Sequence, residues 1–151
     1  HNSISEKKKI QKKKKIMEKL FFKINIAPTS LSEDTLRTQG NSSFLFLTDR
    51  PWQPSSGRHM LLDLDSAEDA CNIKEIDQGC QFIRDRRSDG STVVIVSDSN
   101  EWITVFLIAY VMNKLRMRYP EAKRFVETKR GRFPVTPPIE EILRERTPAD
   151  Q

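Results

Sequence analysis

Val93-Val94-Ile95-Val96 is an unbroken β-branched run. A polar stretch follows, Ser97-Asp98-Ser99-Asn100-Glu101, and then the longest uncharged apolar run of the chain, Trp102 to Met112. β-branched side chains favour a strand, and a strand that is apolar on both faces belongs in the middle of a sheet covered on both sides. The apolar run falls well short of the ~20 residues that a membrane span needs. With almost no polar face in its first three turns, it predicts a helix buried in the core, from Trp102 to about Met117. A buried strand feeding a buried helix through a polar loop is an α/β unit. In such folds ligands gather at the carboxyl ends of strands, and helix N-termini attract anions. The loop between Val96 and Trp102 is therefore where chemistry is expected.

The rest of the 151 residues fits around that unit. Phe22, Ile24 and Ile26 alternate with Lys23 and Asn25, the period of a half-buried strand ended by Pro28. Residues 29–42 are polar and read as a loop, with a turn at Gly40-Asn41. Phe44-Leu45-Phe46-Leu47 and Met60-Leu61-Leu62 predict two further strands. Ser66 is a fair cap for a helix over 67–86, and Asp89-Gly90 turns the chain into the central strand. Pro120 opens a helix that Gly131 stops, and Pro137-Pro138 opens a last one. The expected fold class is α/β, a central sheet flanked by helices. The expected organisation is a basic arm over 1–21, a domain over 22–147 and a tail over 148–151.

Charge separates the arm from the domain. Residues 1–23 hold nine lysines and two acids, for +7, whereas the whole chain carries +5, so the other 128 residues sum to −2. The basic character belongs to the tail and says little about the domain surface. Cys71 and Cys80 make neither a disulfide framework nor a zinc signature, and they read as small buried hydrophobes. Asp49, Asp63, Asp65 and Asp98 have no histidine at useful spacing, so no metal and no cofactor is expected. His59 reads as a strand-edge residue. No signal peptide is visible, and an intracellular place, cytoplasmic or nuclear, is expected. The chain starts at His1 rather than Met, so it is read as a piece of a longer protein.

Ala109-Tyr110-Val111-Met112 resembles the A-Y-L-M of the helix that follows the phosphate loop in dual-specificity protein phosphatases. Ala122, Val126, Lys129-Arg130, Pro134 and Ile142-Leu143 fall where that family carries its A…V…RR…P…QL pattern. Leu62-Asp63-Leu64-Asp65-Ser66 is similar to its I-D-I-D-D strand end, and residues 68–86 to its next helix. The resemblance spans roughly residues 43–146. It implies the phosphatase fold, and it places the family's general acid at Asp63 or Asp65.

The phosphate loop itself departs from the family. There the pattern is H-C-x-x-G-x-x-R-S: the cysteine thiolate attacks phosphorus, and the arginine fork and backbone amides hold the phosphoryl oxygens. Here Val96, Ser97, Asp98, Ser99, Asn100, Glu101 and Trp102 supply no cysteine, arginine or glycine, and the loop is one residue shorter. Counting back from Tyr110 puts the arginine position on Trp102 and the cysteine position on Val96; sliding the strand puts Ser97 or Asp98 there instead. Serine lacks the low pKa that makes a thiolate available. Each carboxylate of Asp98 and Glu101 held against a phosphate charge at ~4 Å, in an effective dielectric of about 20, costs about 4 kcal/mol. The resemblance therefore implies an inactive, STYX-like pseudophosphatase domain that acts as a protein-binding, scaffold or regulatory module. A plainer reading makes Ser97-Asp98-Ser99-Asn100 only a helix cap and turn, with Trp102 a core residue.

Lys12, Lys13, Lys14 and Lys15 precede Leu20, Phe22 and Ile24. Basic residues followed by spaced apolar ones resemble the docking motifs by which mitogen-activated kinases grip phosphatases. The same lysines would serve a nucleic-acid contact or a nuclear-localisation signal, although no aromatics are interleaved among them. A further alternative is an unrelated enzyme in which Asp63, Asp65 and Asp98 gather around a divalent cation.

Overall fold

The computed structural model describes residues 17–38, 40–47, 59–62, 64 and 73–146. Among these, five strands form one sheet in the order β1-β2-β5-β3-β4. The strands are β1 (Glu18–Lys19), β2 (Ile24–Ala27), β3 (Ser42–Phe46), β4 (His59–Leu61) and β5 (Thr92–Val96). β1 runs antiparallel to β2, and all other pairings are parallel. The helices are α1 (Glu33–Arg37), α2 (Ile73–Ser88), α3 (Asn100–Lys114), α4 (Tyr119–Arg130) and α5 (Pro137–Glu145). A mixed sheet flanked by helices is the expected class.

β5 lies at the centre of the sheet, between β2 and β3. Val93 and Ile95 point into one apolar cluster with α2, α3, α4 and α5; Val94 and Val96 point into another with Phe44, Phe46, Leu31 and Leu36. All four residues of the run are fully buried, as the absence of a polar face required. α3 crosses the first face and is buried from Trp102 to Met112. α2 lays its stripe of Ile76, Gly79, Cys80 and Ile83 against the same layer. This spacing of three, four and seven residues is one face of a helix. The short α1 covers part of the second face.

The structure corrects four expectations. Residues 18–21, assigned to the arm, belong to the fold: β1 pairs with β2, and Leu20 and Phe21 pack on the core. The strand expected from Phe22 begins only at Ile24, because Phe22 and Lys23 form the hairpin turn, with φ of 54° and 57°. Two successive residues in the left-handed region are the turn that matches strand twist. The loop expected over 29–42 contains α1, whose Ser32 hydroxyl accepts from the Thr35 amide. Glu33 and Asp34 in its first turn complement the helix dipole. Finally, Leu20, Phe22 and Ile24 are not a free docking strip. Ile24 is fully buried in β2, and Phe22 packs on Tyr110 and Phe125. Leu20 and Phe22 also pack on the core, where each is partly buried. Lys12, Lys13, Lys14, Lys15, Asp63, Asp65, Ser66 and Cys71 lie outside the described residues. Among those described, no helix is long and apolar enough to cross a membrane.

Candidate functional site

β2 and β5 are parallel neighbours, so their carboxyl ends reach the same edge of the sheet. Thr29 stands just past β2, and Ser97 and Asp98 just past β5. The Ser97 amide donates to the Ala27 carbonyl (3.0 Å), extending the ladder by one bond. The chain then turns into α3. The Ser99 amide donates to the Ser97 hydroxyl (3.0 Å), and the Ser99 hydroxyl accepts from the Trp102 amide (3.2 Å). Ser99 is thus the N-cap of α3, with extended backbone before the first helical bond from Ile103 to its carbonyl. The polar run after the strand does what cap residues do. Ser97 is buried, at 3% exposure, while Asp98 and Asn100 are exposed.

The two carboxylates are held by neighbouring loops. Asp98 Oδ1 accepts from the Thr29 amide (2.9 Å), and its other oxygen accepts from the Thr29 hydroxyl. Glu101 Oε2 accepts from the Thr136 amide (2.6 Å) at the N-cap of α5. A negative charge there also meets the positive end of that helix. The acids therefore clasp the loop to its surroundings on both sides. Trp102, at the position that the resemblance gives to arginine, is a core residue at 9% exposure. Val96 is fully buried.

Arg130 completes the arrangement from the end of α4. Its Nη2 donates to Asn100 Oδ1 (3.0 Å), its Nε pairs with Glu18 Oε2 (3.2 Å), and its guanidinium lies 4.7 Å from the centre of the Phe133 ring. The side chain is only 8% exposed. One buried arginine thus ties the start of α3 to the β1–β2 hairpin and to the α4–α5 connection. The sequence marked Arg130 as a pattern match without giving it this role. Thr29, Thr136 and Glu18 were missed; a threonine just past a strand end was the one visible signal.

A phosphate cradle requires successive backbone N–H groups converging on one anion. Here the amides of Ser97, Ser99 and Trp102 are spent on Ala27, Ser97 and Ser99. What the loop performs in this structure is helix capping and anchoring. Among the described residues, no cluster of histidine, cysteine and acidic side chains could hold a metal ion.

No family model matches the sequence, and no curated relative matches it by sequence. Solved structures do match. The human tyrosine phosphatase-like serine/threonine/tyrosine-interacting protein superposes with a TM-score of 0.71 at 18% identity, over 85% of this chain and 93% of that one. DUSP15 gives 0.70 at 16% identity, over 85% of each chain. A leucine-rich-repeat and phosphatase-domain protein from Entamoeba histolytica gives 0.68 at 17% identity, over 87% and 90%. The mixed sheet, its flanking helices and these likenesses together establish that the chain has the dual-specificity-phosphatase fold.

Proposed function

We propose that this domain is a pseudophosphatase: it keeps the fold, hydrolyses no phosphate ester, and works by binding a protein partner as a scaffold or regulator. The observation that carries this reading is the state of the loop between β5 and α3. Its sequence offers no thiol and no guanidinium, its two carboxylates are held by Thr29 and Thr136, and the amides of Ser97, Ser99 and Trp102 are bonded to Ala27, Ser97 and Ser99. A phosphate dianion entering here would displace bonds to two carboxylates and meet their charge. The fold is shared alike by the phosphatase-like interacting protein and by DUSP15, so the loop rather than the fold supports a binding role over a catalytic one. The basic arm with Lys12 to Lys15 is proposed as an additional contact for an acidic partner surface, with Leu20 and Phe22 partly buried on the core beside it.

The test is direct. Purified protein, assayed with an aryl phosphate from pH 5 to 8 with and without magnesium or manganese, should show no turnover above buffer. Vanadate should give no saturable binding. Turnover that disappears on Ser97→Ala or Asp98→Ala would overturn the proposal. A magnesium- or manganese-dependent rise in Tm that disappears in Asp63→Asn would favour the acid-rich enzyme instead.

A further inference from the structure

A second feature lies at the opposite end of α3 from the loop. Fourteen steps at about 1.5 Å each put Lys114 some 20 Å from Asn100. There α2 and α3 enclose a cavity of about 250 Å³ lined by Arg84, Arg87, Ser88, Tyr110, Asn113 and Lys114. Arg84 and Arg87 are three apart on α2, and Tyr110 and Lys114 four apart on α3, so each pair shares a helix face. Its described lining carries three positive charges and no carboxylate.

Basic residues at helix C-termini often do no more than offset the helix dipole. Arg87 partly fits that explanation, since its Nη1 donates to the Ser91 carbonyl (2.9 Å). Arg84 does not. It lies a full turn before the end of α2, where its Nη2 meets Gln81 Oε1 and its Nη1 is buried without a partner. Leaving such a donor unpaired costs about 1–3 kcal/mol. Tyr110 is buried, and both guanidinium groups act on its phenol oxygen and oppose the rise in pKa that burial causes. Of the nearby acids, Asp89 pairs with Arg86, while Asp85 accepts from the neutral Gln81 amide and keeps its charge. Two helix C-termini at roughly −0.5 charge each and the Asp85 carboxylate offset part of the three positive charges, which leaves about one in excess. The field in the cavity is therefore positive.

We propose that the cavity between α2 and α3 is a binding site for a phosphoryl group, held by Arg84, Arg87 and Lys114. Guanidinium forks suit tetrahedral oxyanions, and a phosphate ester fits the volume. The site does not depend on the loop being inactive, and it stands even if that reading fails.

The test is ¹⁵N NMR of the full chain titrated with inorganic phosphate, and then with a short phosphoserine peptide and its unphosphorylated counterpart. Expected are saturable shifts at the Ser88, Asn113 and Lys114 amides, and none with the unphosphorylated peptide. Tighter binding of the phosphopeptide identifies a protein source, and tighter binding of free phosphate a small-molecule one. Arg84→Gln should weaken binding about tenfold or more, as should Lys114→Gln at an exposed position that leaves the fold intact. No saturable shift, shifts unchanged in both variants, or shifts confined to residues 97–102 would each overturn the proposal.

Discussion

Gly79 sits in the middle of α2, fully packed against α3, and its replacement by alanine sets two effects against each other. Alanine is the better helix former, worth about 1 kcal/mol in a helix interior. The added methyl, however, has nowhere to go. A Cβ built on Gly79 would overlap Phe106 Cε1 and stand 2.9 Å from Cδ1 and 3.1 Å from Cζ. Ordinary contact begins near 3.4 Å, so the ring must move by an ångström or more. Phe106 is fully buried within the largest apolar cluster and has no free side to move into. Overpacking of this kind costs typically about 1–3 kcal/mol, and a rigid aromatic neighbour puts the site at the upper end. The net expectation for Gly79→Ala is a loss of about 1–2 kcal/mol, or a Tm lower by roughly 2–8 °C in a chain of this size. Urea unfolding followed by circular dichroism measures it. Phe106→Leu should be destabilising alone because it opens a cavity, but in the double variant the two losses should partly cancel. A Gly79→Ala protein more stable than wild type, or a strictly additive double variant, would refute the close approach of α2 and α3.

Two further outcomes follow from buried titratable groups. The Tyr119 hydroxyl donates to Glu140 Oε2 (2.7 Å), and this bond, with Arg144 and Lys123 nearby, holds the Glu140 carboxyl below its usual range. A carboxyl lowered in the folded state stabilises the fold above its unfolded pKa, and that contribution is lost as pH falls through the folded one. Tyr119→Phe should therefore cost no more than about 1 kcal/mol at pH 7, and less at pH 3; an equal cost at both, by urea midpoints, would contradict the assignment. The Cys80 thiol is fully buried in the core, and burial pushes it up to about 12. In a Cys71→Ser background it should resist an aromatic disulfide reagent at pH 8 until urea unfolds the chain; prompt labelling of the folded protein would show that the α2 stripe does not face inward.

The sequence determined what depends on local pattern and composition. Val93 to Val96 could only be an inner strand, and the run from Trp102 could only be a buried helix, because neither has a polar face to give to water. The prolines and glycines that bound α4 and α5 were legible for the same reason, since they fix backbone geometry locally. The missing thiol and guanidinium of the loop needed no coordinates either. Tertiary structure decided everything that depends on which distant segments meet. Phe22 read as a strand residue by alternation, but the hairpin that brings Glu18 beside Ile26 placed it in a turn against Phe125. Asp98 and Glu101 read as charges facing a phosphate; Thr29 and Thr136, distant in sequence, turned them into clasps. Arg130 was a pattern match until the fold set it against Asn100 and Glu18. The basic cavity exists only because α2 and α3 pack together, bringing Arg84 and Arg87 against Lys114 across an interface that no local period reveals.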